Sequence, residues 1–429
     1  MRAAIETSAD AITRLDERTA LRWLLVVMAA GFALRAAWGV LIPVSPVSDP
    51  AAYLGYAVNI VEHGVYGLDH RYPSAFWPPG TAAMIATMWK LFGDPYGPMV
   101  VLNVVLSTGL IFATYLVGRQ FLSPAAAIFG ATLIAFWPSG IMFVTVLSSE
   151  TPFLFLATAG IAALGAKWRR PIVGGIVAGL LLAGASYVRP VALLLPVVML
   201  VLVVWRDRTR LFPMLTAFCA TVLVMAVLIA PWTMRNAEFV GHPFLISSNF
   251  GQVFWSGNHP GALGFHVAGP QAYYEGGEHE AHERFLSEAL AHIAAEPEAF
   301  VIRTLRKFLL LHVGETIGVW WNLNPLQNAG GDALVISLKI IASCYWYAVL
   351  SLAMMGILAV FFVEKLTMAV AQPPLIVWLY YSSINALTQI SDRYHFPSMP
   401  FLCLLAGVAL AALAVRIHRQ RSSLAVERG

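Results

Sequence analysis

A succession of apolar stretches, each close to the length that crosses a bilayer, constrains this chain more than anything else. They run at roughly 23–43, 98–118, 124–146, 151–166, 172–188, 190–205, 212–231, 334–362, 366–386 and 396–416. A helix rises 1.5 Å per residue, so about 20 residues cross the hydrocarbon core; the shorter stretches suit a thin or protein-lined region. Backbone N–H and C=O groups in lipid must find partners within the protein, which leaves helices or closed barrels. These runs are continuous, whereas a barrel strand alternates. Composition agrees: 59% of residues are hydrophobic and 12% charged, with mean hydropathy +0.72, while soluble domains carry about 25% charged residues. The expectation is an all-α, polytopic membrane protein with about ten transmembrane helices and juxtamembrane helices on its outer face.

Basic residues favour the cytoplasmic side of short loops. Here they cluster at Arg14/Arg18/Arg22, Arg119, Lys167–Arg170, Arg206/Arg208/Arg210, Lys365 and Arg416/Arg419/Arg421. Ten spans place every cluster on one face, together with both termini. One more span would invert everything downstream of it, so the short apolar stretch 79–92, closed by Lys90 and Asp94, is expected to be a re-entrant or interfacial helix on the outer face. The resulting plan is a cytoplasmic segment 1–22, a transmembrane domain 23–416 with outer loops 44–97 and 232–333, and a cytoplasmic tail 417–429. The second loop has turns up to Pro270, then a helical stretch Glu275–Leu311 with Glu283, Arg284, Glu288, Arg303, Arg306 and Lys307 on polar faces. Its end, Phe300–Val313, reads as an amphipathic helix on a membrane surface. Cys219, Cys344 and Cys403 lie far apart inside apolar runs and read as packing residues. The polar residues before the first span do not match a cleavable signal peptide.

Ionisable residues at membrane depth default to a functional reading, and several converge on the outer face. Asp49 follows the first span in Pro46-Val47-Ser48-Asp49-Pro50, with Tyr53, Arg71 and Trp77-Pro78-Pro79-Gly80 beyond it. Glu150 lies in Ser148-Ser149-Glu150-Thr151, Arg189 in Tyr187-Val188-Arg189-Pro190, and Arg235 opens the second long loop, which also holds Asn258. Arg393, Tyr394 and His395 precede the last span. Singly, each has a plainer reading: Arg189 or Arg393 as a snorkelling anchor, Glu150 as a first-turn helix cap, Arg35 as a residue paired inside the bundle. Trp232, Trp255, Trp320 and Trp321 fit an interfacial belt as well as a sugar-stacking platform. Jointly, a carboxylate beside several guanidinium groups suits a hydroxyl nucleophile and a phosphate leaving group. Asp49 and Glu150 also match, weakly, the oxygen-rich donor set of Mg²⁺ or Mn²⁺. His63, His259, His266 and His395 have no ligand spacing. No P-loop, dinucleotide fingerprint or serine-hydrolase elbow is present, so the driving energy must arrive with the substrate.

The order of these features resembles the GT-C superfamily of polyprenyl-phosphate-sugar-dependent glycosyltransferases, in its branch of bacterial relatives of protein O-mannosyltransferases and of the lipid A aminoarabinose transferase. The resemblance rests on Asp49 with Tyr53, Gly64 and Tyr66, on Pro78-Pro79-Gly80, on Ser149-Glu150 and on Tyr187-Val188-Arg189-Pro190. It continues through Pro231-Trp232, Arg235-Asn236, Gly241, Gly251, Arg393-Tyr394, Pro397 and Pro400, and runs from about residue 20 to 415. It implies a GT-C-like bundle, an undecaprenyl-phosphate-linked donor entering from the outer leaflet of the inner membrane, and a lipid, glycan or protein acceptor. Asp49 would activate the acceptor or hold a metal, Glu150 would be the second acid, and Arg189 and Arg393 would hold the lipid phosphate. Trp77-Pro78 stands where aminoarabinose transferases carry an acid–lysine pair, so that sugar specificity does not transfer. Two other readings stand beside this one. A flippase or transporter of a lipid-linked anion ordinarily shows paired half-repeats, and none is visible here. A non-catalytic subunit of an envelope complex would tolerate loss of Asp49 and Glu150.

Overall fold

A computed structural model describes residues 17–363 and 372–427. The expected basic residues Arg14 and Lys365, the start of stretch 366–386 and the side chains of Arg419 and Arg421 lie outside the described residues. In chain order the helices begin with α1 (Glu17–Leu41), α2 (Asp49–His63), α3 (Gly80–Phe92), α4 (Tyr96–Phe121), α5 (Pro124–Ala135), α6 (Pro138–Met142), α7 (Glu150–Gly165) and α8 (Pro171–Val188). A 3₁₀ turn (Pro190–Leu194) leads into α9 (Leu195–Arg206), followed by α10 (Leu211–Val240). The second long loop holds α11 (Phe250–Ser256), α12 (Glu278–Ala295), α13 (Pro297–Leu310) and α14 (Ile317–Trp321). The chain then forms α15 (Leu323–Val363), kinked at Gly330 and Gly331, α16 (Pro373–Leu387) and α17 (Met399–Glu427).

Among the described residues there is no strand, and six helices are long and apolar enough to cross a membrane: α1, α4, α8, α10, α15 and α17. A seventh is counted if α5 and the segment Pro138–Thr145, bent by 53°, form one span; α7 and Pro190–Arg206 are apolar but shorter. The expected single span 124–146 is therefore broken, and the reason is chemical. Pro138 cannot continue the hydrogen-bond ladder, and Arg35 of α1 takes the stranded carbonyls of Ile134 (3.0 Å) and Ala135 (2.8 Å). Its remaining donors go to Ser107 Oγ (2.6 Å) and Gly31 O (3.0 Å), so this buried guanidinium caps a helix end.

The core lies where α17 packs on α5 and α15, α4 on α7, and α8 on α7 and α10. Between helices in lipid, close packing replaces hydrophobic drive, so small residues sit at the crossings. At Gly407 of α17 a Cβ would meet the Ala126 carbonyl of α5 at 2.2 Å, so only glycine allows that approach. Arg210 donates to the carbonyls of Gly165 (3.0 Å) and Ala166 (3.2 Å), which joins the basic turns 167–170 and 206–210 at one end of the bundle. Glu150 and Arg189 stand at the other end of α7 and α8.

Stretch 79–92 forms α3, whose 13 residues reach about 20 Å, short of the roughly 30 Å core. The helical stretch expected over Glu275–Leu311 is two helices, broken at Glu296 because Pro297 lacks the donor that would continue the ladder. α13 exposes Val301, Ile302, Leu305 and Leu309, as an amphipathic helix should. Lys307 departs from its expected place on the polar face. It is buried, with Nζ donating to the carbonyls of Gly257 (3.1 Å) and Thr388 (2.8 Å) and to Asn258 Oδ1 (3.1 Å).

Candidate active site

The charged residues of the outer face are delivered by helix ends. Asp49 is the first residue of α2 and Glu150 the first of α7, each followed within the first turn by a proline, which suits a position whose N–H has no intrahelical acceptor. Both carboxylates therefore face the partial positive charge of a helix N-terminus. Ser48, just before Asp49, has φ +54°, the one positive φ among the described non-glycine residues, and this left-handed turn swings the chain into α2. Arg189 directly follows α8, where the partial negative charge of a C-terminus favours a cation. Arg393 comes from the turn between α16 and α17.

These four side chains form one alternating row. Arg393 bridges the two acids, pairing through Nη2 with Asp49 Oδ2 and through Nη1 with Glu150 Oε1 at 3.2 Å. Arg189 pairs with the same Glu150 oxygen and donates from Nε to Ser149 Oγ at 2.9 Å. The Arg393 guanidinium lies over the Trp321 ring (4.6 Å) and near the Tyr394 ring (5.6 Å). Burial works against its charged form, but Glu150 and then Asp49 outweigh burial and hold its pKa above the ordinary arginine value. Burial, and after it the Asp49 and Glu150 carboxylates, push the Tyr53 phenol well above its usual range, so it stays protonated.

A cavity of about 550 Å³ opens onto this row. Asp49, Tyr53, Ser149, Arg189, Arg393 and Tyr394 form its charged and polar wall. Val188, Val191, Leu245, Ile246, Phe250 and Val253 form an apolar wall, and Asn249, Asn385 and Gln389 add polar groups. The chamber thus offers both ionised groups and hydrocarbon, which fits an amphiphile carrying an anionic head.

No protein-family model matches the sequence, and no curated protein matches it either. Solved structures do. The archaeal oligosaccharyltransferase AglB from Archaeoglobus fulgidus, in complex with an inhibitory peptide and a dolichol-phosphate, superposes with TM-score 0.56 at 12% identity over 93% of this chain and 51% of that one. ArnT from Cupriavidus metallidurans bound to undecaprenyl phosphate gives 0.54 at 15% identity over 90% of this chain and 60% of that one. The chain has the GT-C fold. Another structure of the A. fulgidus enzyme, with Zn and sulfate, gives TM-score 0.53 at 12% identity over 91% of this chain and 49% of that one. The chain thus spans about half the length of the oligosaccharyltransferase, and at these identities the likeness is one of fold.

Within this GT-C fold, Asp49, Tyr53, Glu150, Arg189, Arg393 and Tyr394 gather at one site, and four other candidates point elsewhere. Arg71 is exposed and pairs with Asp69 at 2.6 Å. Arg235 donates to the carbonyls of Ser74 (2.6 Å) and Tyr66 (3.2 Å) and stacks 4.8 Å from the Trp232 ring, fastening the first loop. Asn258 is buried, accepts from Lys307 and donates to the carbonyls of Phe254 and Leu387 (2.9 Å each). His395 is buried against Trp346 (4.0 Å), with Nε2 at 3.1 Å from Glu315 Oε2 and Nδ1 at 3.2 Å from the Leu311 carbonyl. In each case neighbouring groups have claimed the polar atoms: for Arg71 the partner is two residues away, whereas for Arg235, Asn258 and His395 it includes residues distant in the chain, which the local sequence does not carry. Sequence reasoning also passed over Asn249, Asn385 and Gln389, neutral residues with no distinctive pattern, and Glu315, which anchors Trp137 Nε1 at 2.7 Å as well as His395.

With Arg393 bridging both acids, the donor set does not fit a hydrated Mg²⁺ or Mn²⁺. Such ions keep several waters beside one or two carboxylates, and only Asp49, 20% exposed, reaches the cavity; the Glu150 side chain has no exposure and is not part of its wall. Among the described residues, no three His, Cys, Asp or Glu side chains group so as to hold a metal.

Proposed function

We propose that this protein is a glycosyltransferase that moves a sugar from a polyprenyl phosphate, such as undecaprenyl phosphate, to an acceptor hydroxyl. The reaction takes place on the outer face of a bacterial inner membrane, within one transmembrane domain spanning about 23–416. The observation that carries this reading is a cavity-facing carboxylate, Asp49, paired with Arg393, which Glu150 links to the second guanidinium of Arg189, in a cavity also lined by apolar side chains. AglB and ArnT have been seen with polyprenyl phosphates bound, which supports the donor class. The basic turns at the far end of the bundle support the sidedness.

The chemistry follows from the row of charges. The donor phosphate draws the Arg393 and Arg189 guanidinium groups toward it, since phosphate oxygens accept paired N–H donors as a carboxylate does. Asp49, released from Arg393, takes the proton of the acceptor hydroxyl. The acceptor oxygen bonds to the anomeric carbon from the side opposite the phosphate, and the bond between that carbon and the phosphate oxygen breaks. The electron pair leaves with the polyprenyl phosphate, whose charge the two guanidinium groups balance, and the anomeric configuration inverts. Glu150 keeps Arg189 and Arg393 in register from behind. The deciding experiment incubates detergent-solubilised protein with a panel of radiolabelled polyprenyl-phosphate sugars and measures released lipid phosphate. Release that disappears in Asp49→Asn supports transfer. Movement of intact lipid-linked sugar across proteoliposomes, with no release from any donor, would replace the enzyme by a flippase.

A further inference from the structure

The two carboxylates that would hold a divalent cation are already bridged, and by an ion the protein itself supplies. We infer that the Arg393 guanidinium is the resident cation of this site and that the site takes up no divalent metal while Arg393 is in place. The arrangement is over-determined. Arg393 contacts Asp49 Oδ2 and Glu150 Oε1 at once, and that same Glu150 oxygen also receives Arg189. Two acids and two bases balance, so no net negative charge remains to draw in a dication. The guanidinium is further seated on the Trp321 ring at 4.6 Å, a contact that favours a delocalised, weakly hydrated cation over a strongly hydrated metal ion.

One oxygen is left over: Glu150 Oε2 is buried and takes no part in either ion pair. It does not invite a metal while Arg393 holds the neighbouring oxygen, because the side chain then has no exposure and does not line the cavity, and Mg²⁺ or Mn²⁺ sheds its water shell reluctantly. For a dication to enter, Arg393 would have to leave both acids and its aromatic seat together. A guanidinium cannot make room by losing its proton, since it remains charged at any accessible pH. What can displace it from Asp49 is an anion with paired acceptor oxygens, which recruits Arg393 toward itself. The site is thus tuned to admit a phosphate and to refuse the ion that often accompanies one.

The test uses Mn²⁺ as the probe and needs no turnover, so it stands apart from the assay for sugar transfer. Purified full-length protein is stripped with EDTA, titrated with Mn²⁺ to millimolar concentration, and the signal of free aqueous Mn²⁺ is followed by electron paramagnetic resonance. The wild type is expected to leave that signal unchanged. Arg393→Gln, which keeps some length and hydrogen-bonding capacity, should bind about one Mn²⁺ per chain, and Arg393→Gln/Asp49→Asn should lose it again. Wild-type protein that binds one Mn²⁺ per chain, with the binding lost in Asp49→Asn, overturns the inference whatever the variants do. An Arg393→Gln protein that unfolds cooperatively like the wild type yet binds no Mn²⁺ overturns it too, because the vacated place would then not be a cation's place.

Discussion

Arg393 and Arg235 sit on the same face of the molecule, and their partners set them apart. Arg235 spends its donors on backbone carbonyls of the first loop, at 2.6 and 3.2 Å, and lies over Trp232. Arg35 and Lys307 behave alike, each answering several carbonyl oxygens. Arg393 and Arg189 are held by carboxylates beside an open cavity. A carbonyl fixed in the backbone has no better claimant, so cations of the first kind fasten the fold. A carboxylate can be traded for a phosphate, so cations of the second kind are free to change partner when substrate arrives. The type of acceptor, more than burial or position, separates structural from functional cations here.

Substitutions can break or sharpen that division. The largest effect is expected at Asp49. Asp49→Asn removes the proton acceptor and should lower turnover by about 10²–10⁴-fold with little change in donor affinity, measured as lipid-phosphate release against donor binding. Arg393→Ala should follow at about 10²–10³-fold in rate, now with weaker binding of polyprenyl phosphate; unchanged affinity would move Arg393 into the fastening class. Arg235→Ala should do the reverse. It strands the Ser74 and Tyr66 carbonyls and should cost about 1–2 kcal/mol of stability, read as a lowered Tm in detergent, while turnover at saturating donor stays within a few-fold.

The smallest effect concerns Lys307. Burial, assisted by the nearby Arg303 charge, lowers its pKa from the ordinary 10.5 to about 8. Between about pH 8 and 10.5 the unfolded chain therefore holds a proton that the folded protein has released. Unfolding takes up that proton, so stability should rise with pH across this window, and below it the cost of the buried charge is fully present. Thermal unfolding of wild type and Lys307→Met between pH 7 and 10 measures this: the wild type should gain Tm relative to the variant as pH rises, and parallel curves would remove the effect.

Much of the fold was legible because lipid leaves few alternatives: long apolar runs become helices, and basic turns mark one face. What the sequence concealed was how helices end inside the bundle. The break after Ala135 needs Arg35, a hundred positions earlier in the chain. Glu296 and Pro297 divide a segment whose composition looks uniformly helical. At the site, Asp49, Glu150, Arg189 and Arg393 could be singled out because each interrupts or closes an apolar stretch, and apolar neighbours offer them little except one another. Arg235, Asn258 and His395 share that setting, but the Ser74 carbonyl, Lys307 and Glu315 had taken them first, and Arg71 lies exposed in a polar run beside its own partner Asp69. Glu315 is an isolated acid in Gly314-Glu315-Thr316, and that sequence carries no pattern to mark it.

Every charged group of the row is borne by a helix end or turn at the same extremity of the bundle, and none by the middle of a span. The spans can therefore grow, shrink or lean to suit membranes of different thickness by adjusting at their far ends, while the distances between Asp49, Glu150, Arg189 and Arg393 stay the same.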